Sequence, residues 1–151
     1  MTLEVYIDGG SKGNPGPSSI GMVFYRAGKK IFAYREDIGM GTNNRAEYTA
    51  LVRALEKIKN QKSCLAGSSR CEAGRRVKIK NTDRISEIKS YSDSRLLVNQ
   101  VNGLFRVKNA AIREFIFAIR TLEQEIGIPI SYHLIQREKN TEADALVNGK
   151  G

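Results

Sequence analysis

The hydrophobic period of this chain changes at Asn44 from two residues to about 3.6, and the change separates a run of strands from a run of helices. Before it, Leu3, Val5 and Ile7 alternate with Glu4, Tyr6 and Asp8, the pattern of a strand that ends at a Gly9-Gly10 turn. Asp8 is therefore expected at a strand's C-terminal end. Ile20 to Arg26 and Ile31 to Ile38 read as two further strands. They are joined around Ala27-Gly28-Lys29, a connection short enough to require an antiparallel hairpin, so the first three strands form a meander. After it, Ala46, Ala50, Leu51, Ala54, Leu55 and Ile58 recur at helical spacing and predict an amphipathic helix over residues 44 to 60.

Residues 61 to 84 lose this pattern. Their glycines, serines and charges mark a long loop or insertion, unusual in a compact domain. Ile85 to Tyr91 reads as a fourth strand, and Ser94 to Val101 as a short helix stopped by Asn102-Gly103. A longer helix begins at Asn109. It buries Ile112, Phe115, Ile116, Ile119, Leu122 and Ile126 and closes at Gly127 and Pro129. Ile130 to Ile135 is a fifth strand, and Asn140 is placed to cap a last short helix. The order β-β-β-α-β-α-α-β-α predicts an α/β fold with a mixed sheet covered by helices. At 151 residues and 16.8 kDa, residues 1–151 are read as one domain with a basic insertion at about 61–84.

A formal charge of +9 concerns partners rather than fold. Ten basic and three acidic residues lie between Lys57 and Lys89, so most of the excess sits in and around the insertion. Such a segment is either a solvated loop or a contact for a polyanion, with nucleic acid the leading specific partner. The first residues contain no long apolar run, which argues against a signal peptide or membrane span and for a cytoplasmic protein. Cys64 and Cys71 are too few for a disulfide scaffold. With one histidine in the chain they cannot complete an ordinary zinc site, and whether they pair is left open.

Four acids stand out. Glu47 lies on or beside the helix face that should be buried, where a bare carboxylate is costly; alternatively, it forms a capping box with Asn44. Asp8 and Asp93 each follow a strand and precede a Gly or Ser, as do ligand groups at the carboxyl ends of open α/β sheets. Asp93 could instead cap the next helix, and Asp144 could merely complement a helix dipole. Taken together the four are harder to explain structurally. Two carboxylates about 4 Å apart repel by roughly 4 kcal/mol at an effective dielectric of 20, so the cluster needs protons or cations. Two hard divalent ions with oxygen ligands would serve, as at a two-metal phosphoryl-transfer site.

The stretches Asp8-Gly9-Gly10-Ser11-Lys12-Gly13-Asn14-Pro15-Gly16, Thr42-Asn43-Asn44-Arg45-Ala46-Glu47, Tyr91-Ser92-Asp93-Ser94 and Asn140-Thr141-Glu142-Ala143-Asp144 resemble type-1 ribonuclease H. The four motifs span nearly the whole chain in the family's order. The resemblance implies a ribonuclease H-like fold, a five-stranded mixed sheet made of an antiparallel meander plus two parallel strands and flanked by helices. It also implies an endonuclease that hydrolyses the RNA strand of an RNA/DNA hybrid and leaves 3′-hydroxyl and 5′-phosphate ends. Asp8, Glu47, Asp93 and Asp144 match the metal-binding carboxylates, with two Mg²⁺ ions implied and Mn²⁺ as a substitute. Gly9, Gly10 and Ser11 match positions where backbone approaches the RNA. Asn14, Asn43 and Asn44 match the minor-groove side, and Thr42 and Asn109 match a pocket for a DNA-strand phosphate, with Lys108 beside it. A monomer without an obligatory protein partner is expected.

Three departures accompany the resemblance. The loop before the last carboxylate is short and lacks the histidine many members carry, so His133 reads as structural and Arg137 as the residue serving the scissile phosphate. Gly103 passes directly to Asn109, leaving no room for a basic protrusion; the Lys57 to Lys89 segment could substitute. Arg95 stands where members often place a glutamine. The alternative reading is a non-catalytic nucleic-acid-binding domain on the same fold. A nucleotide-binding enzyme is disfavoured, because Gly9 to Gly16 matches neither the Walker-A nor the dinucleotide pattern.

Overall fold

The computed structural model describes residues 2–13, 15–60, 85–103, 106–107 and 109–147. Asn14, Lys108 and the insertion with Cys64 and Cys71 lie outside the described residues. The strands are β1 (Thr2–Ser11), β2 (Gly16–Arg26), β3 (Lys29–Gly41), β4 (Glu87–Ser92) and β5 (Ile130–Leu134). The helices are α1 (Asn43–Asn60), α2 (Arg95–Val101), α3 (Ala110–Ile126) and α4 (Thr141–Val147), the last preceded by a single 3₁₀ turn, Arg137–Lys139. The sheet order is β3-β2-β1-β4-β5. Antiparallel pairing joins β3 to β2 and β2 to β1; parallel pairing joins β1 to β4 and β4 to β5. This is the mixed five-stranded sheet expected from the sequence.

Period-two alternation places Leu3, Val5 and Ile7 of β1 beside Ile20, Met22 and Phe24 of β2 on one face of the sheet, all buried. Leu51, Leu55 and Ile58 of α1 and Ile119 and Ile126 of α3 close over that face. Truncating one of these residues to alanine should cost roughly 2–5 kcal/mol through lost transfer energy and an unfilled cavity. The other face, on which Gly21 lies between Ile20 and Met22, receives α4. A Cβ at Gly21 would stand 2.8 Å from the carbonyl oxygen of Ala143.

Element boundaries differ from the sequence reading in informative places. β1 does not end at Gly9-Gly10: Asp8, Gly9 and Gly10 continue the ladder opposite Gly21, Ile20 and Ser19. Other elements lie against the two glycines, helix α1 at Gly9 and Val147 of α4 at Gly10. A Cβ at Gly9 would come within 2.4 Å of the backbone carbon of Ala46. The capping box of Asn44 with Glu47 does not form, because α1 starts one residue earlier. Thr42 caps it, its Oγ1 accepting from the amide of Arg45 at 3.3 Å. Ser94 rather than Asp93 caps α2, accepting from the Leu97 amide at 3.3 Å. Gly103 and Gly127 both adopt left-handed φ where α2 and α3 stop, as expected.

Asn140 stands immediately before α4, but its side chain does not cap the helix. Its Nδ2 donates to the Ile7 carbonyl at 2.8 Å, and its buried Oδ1 has no hydrogen-bond partner among the described residues. The side chain ties α4 to β1 at the point where the sheet begins to open.

Candidate active site

The site begins with a fork in the sheet. Parallel pairing of β1 with β4 stops at Tyr6 and Tyr91, yet β1 runs on beside β2 to Ser11 and β4 runs on beside β5 to Ser92. Diverging strand ends of this kind leave a crevice outside the carboxyl edge, the usual place for a ligand in an open α/β sheet. Asp8, within β1, and Asp93, the residue that follows β4, flank the fork. Glu47 enters from the first turns of α1, which the small residues Gly9 and Ala46 allow to approach closely.

Carboxylate oxygens of Asp8, Glu47 and Asp93 all lie within 4.8 Å of one another. Asp144, in the first turn of α4, adjoins them through a side-chain hydrogen bond with Asp8. The Arg137 guanidinium spans the open side, with Nε 3.9 Å from Asp93 Oδ2 and Nη2 3.8 Å from Asp144 Oδ1. Together with Gly10, Ser11 and Lys12 these residues line a cleft of about 440 Å³. Four carboxylates face only the Arg137 guanidinium and Lys12 in the cleft wall, an excess of acidic over basic groups.

Electrostatics record the same imbalance. Burial, then the charges of Asp93 and Asp144, push the Asp8 carboxyl up to about 8. Burial is also the main cause that lifts Glu47 to about 7; the charge of Asp93 adds to it, while a hydrogen bond from Ser94 and the charge of Arg137 oppose it. Asp93 is raised by burial against the opposing pull of Arg137. At neutral pH the cluster therefore holds protons unless a cation replaces them. An all-oxygen donor set with no histidine or cysteine suits hard divalent cations, so the residues present fit such an ion.

A second depression, of about 480 Å³, borders the first. Thr42, Asn44 and Asn109 line it, and Asn43 lines both. Asn43 Oδ1 accepts from the Ser11 amide at 2.8 Å, pinning the end of β1 to the start of α1. Asn109 Oδ1 accepts from the Ala111 amide at 2.8 Å and so caps α3. The structure thus gathers the predicted residues into two adjoining depressions, with Asn14 and Lys108 outside the described residues. His133 lies elsewhere, exposed on β5, stacked against Tyr91 with ring centroids 5.4 Å apart and hydrogen-bonded to Ser131. Sequence reasoning missed Lys12 in the cleft wall and the Ser94 bond to Glu47. The pairing of Asp93 with an adjacent helix-capping serine was the available signal for the second.

A carboxylate cluster at the forked carboxyl edge of a mixed sheet, braced by a helix on each face, defines an α/β domain built around an acidic cleft. The chain belongs to the RNase H family, whose model matches residues 1–149. Bifunctional protein Rv2228c of Mycobacterium tuberculosis is 30% identical over 150 residues, covering 98% of this chain and 35% of the relative. Ribonuclease HI of Halobacterium salinarum is 31% identical over 148 residues, covering 97% and 62% respectively. The chain thus spans about a third to three fifths of the length of these curated relatives.

Among solved structures, LC11-RNase H1 isolated from compost by a metagenomic approach superimposes with a TM-score of 0.80 at 34% identity, covering 99% of this chain and 94% of that one. The same enzyme in complex with an RNA/DNA hybrid gives 0.78 at 33% identity, covering 97% and 94%. Among the described residues no helix is long and apolar enough to cross a membrane.

Proposed function

We propose that residues 1–151 form a single catalytic domain that hydrolyses the RNA strand of RNA/DNA hybrids by two-metal-ion catalysis. The products are 3′-hydroxyl and 5′-phosphate ends. The observation that carries this reading is the convergence of Asp8, Glu47 and Asp93 within 4.8 Å at the sheet fork, in a chain of the RNase H family. The hybrid-bound structure of the similar LC11-RNase H1 supports the choice of substrate.

Asp8, Glu47, Asp93 and Asp144 would hold two Mg²⁺ ions, with Mn²⁺ as a substitute; the ions would activate the attacking water and stabilise the leaving 3′ oxygen. The protein's own residues do the rest. Gly10 and Ser11 leave the cleft wall low enough for backbone groups to reach 2′-hydroxyls, the mark of RNA; Gly9 keeps that wall seated on α1. Arg137 orients Asp93 and Asp144 and faces the scissile phosphate. Asn43 and Asn44 contact the minor-groove side, and Asn14 of the first motif serves the same side. Thr42 and Asn109 bind a DNA-strand phosphate, flanked in sequence by Lys108. The domain acts as a monomer in the cytoplasm.

The deciding experiment compares end-labelled RNA/DNA hybrid, RNA duplex and DNA duplex, with Mg²⁺, Mn²⁺ or chelator, using the native chain and Asp93→Asn. Metal-dependent internal cuts confined to the RNA of the hybrid, and lost in the variant, are expected. A hybrid bound but uncut under every metal would favour a non-catalytic binding domain.

A further inference from the structure

Of the charged residues lining the carboxylate cleft, Lys12 is the one the reading above leaves without a task. It is exposed, it stands on the same wall as Gly10 and Ser11, and it forms no ion pair among the described residues. Its backbone is fixed on three sides. The amide donates to the Pro17 carbonyl at 2.8 Å. The carbonyl oxygen occupies the space of a side chain at Gly16, where a Cβ would stand 2.4 Å away. The preceding Ser11 is held by Asn43 and by the Gly41 carbonyl, at 2.8 and 2.9 Å. A lysine on a rigid base loses less on binding than one on a mobile loop, because only the side chain remains to be ordered.

We propose that the Lys12 ammonium contacts a non-scissile phosphate of the RNA strand and so sets the path of that strand across the cleft, an inference that rests on the nuclease reading of the site. The cut strand must lie along the wall that carries Asp8, Gly10 and Ser11, and Lys12 is the next residue on it. The depression assigned to the other strand is lined by Thr42, Asn44 and Asn109 and does not include Lys12. Arg137 is engaged by Asp93 and Asp144, so Lys12 is the cleft cation free of those carboxylates. An ammonium is a compact point charge suited to a phosphate whose exact orientation need not be fixed.

The test combines Lys12→Ala with hybrids carrying single neutral methylphosphonate linkages. Binding is read by fluorescence anisotropy in an Asp93→Asn background, and cleavage in the native background. Lys12→Ala should weaken binding and raise KM by about threefold to tenfold, with the effect on KM rather than kcat. It should also make the slope of log K against log salt shallower by about 0.7 to 0.9, the signature of one lost phosphate contact. One methylphosphonate in the RNA strand should weaken the native protein by a similar factor and leave Lys12→Ala unaffected. An unchanged salt slope overturns the proposal, as does coupling to a DNA-strand linkage instead. If the native chain itself fails to cut any hybrid, the nuclease reading falls, and that outcome is separately visible.

Discussion

Arg137 Nη2 stands 3.8 Å from Asp144 Oδ1 while its Nε stands 3.9 Å from Asp93 Oδ2, so one exposed guanidinium bridges carboxylates from two different elements. Both distances are long for direct hydrogen bonds, and the side chain is 77% exposed, so solvent screens the pairing. Its value lies in keeping two like charges together at the cleft rather than in stability. Arg137→Ala should therefore lower kcat on hybrid by at least about tenfold while shifting stability by no more than about 1 kcal/mol. Steady-state cleavage and thermal melting of the same preparation check this. A large loss of Tm with preserved kcat would assign Arg137 to the fold instead.

The acidic cluster predicts an unusual pH dependence for the metal-free protein. Asp8 and Glu47 hold protons in the native state up to about 8 and about 7, whereas their ordinary values are 3.8 and 4.5. Between those limits the native state binds more protons than the unfolded state, so stability falls as pH rises. The penalty is absent below about pH 4 and complete above about pH 8. In chelator, Tm should drop by at least about 4 °C between pH 5 and 8.5, which corresponds to about 1–2 kcal/mol for a chain of this size. Mg²⁺ should restore more of it at pH 8.5 than at pH 5, and Asp8→Asn should remove most of the pH effect. A flat chelator profile for the native chain would mean that the carboxylates are better solvated than their burial indicates.

Gly9 and Gly10 are adjacent in sequence but bear on different parts of the structure, and alanine at each position separates them. A Cβ at Gly9 meets the backbone of Ala46 at 2.4 Å, so α1 must move, and Glu47 moves with it. At Gly10 the nearest obstacle is a methyl of Val147 at 3.1 Å, which a small adjustment relieves. Gly9→Ala should cost about 1–3 kcal/mol by overpacking and abolish most cleavage. Gly10→Ala should change stability by less than about 1 kcal/mol and act on hybrid affinity instead. Chemical denaturation and binding measured together decide the point.

These glycines also show what the sequence made legible and what it did not. Alternation at Leu3, Val5 and Ile7 identified β1, and strand-end acids identified Asp8 and Asp93, because both signals are local. The Gly9-Gly10 pair was read as a turn, since glycine's commonest local use is a turn. The actual causes, the approach of α1 at Gly9 and of Val147 in α4 at Gly10, are tertiary contacts that no window of sequence contains. Asn140 misled in the same way. Its position predicted a helix cap, but the splaying of β1 from β4 leaves the Ile7 carbonyl within reach, and the side chain bonds there. Lys12 went unassigned because its significance depends on a cleft assembled from β1, β4, α1 and the segment after β5.

Asn109 combines a structural duty with a binding one, and two substitutions can divide them. Its Oδ1 caps α3 by accepting the Ala111 amide at 2.8 Å, which leaves the Nδ2 group as the donor for a phosphate in the depression shared with Thr42. Asn109→Ala loses both, with a cap cost of about 1 kcal/mol. Asn109→Asp keeps the acceptor and places a negative charge at the N-terminus of a 17-residue helix, so stability should be retained or slightly raised. The same charge repels a phosphate and offers it no donor. Asp at this position should therefore raise KM for hybrid by at least about tenfold, a loss of about 1.4 kcal/mol in binding, without lowering Tm. If Asn109→Asp bound hybrid as tightly as the native chain, the depression lined by Thr42 and Asn109 would not be a phosphate site.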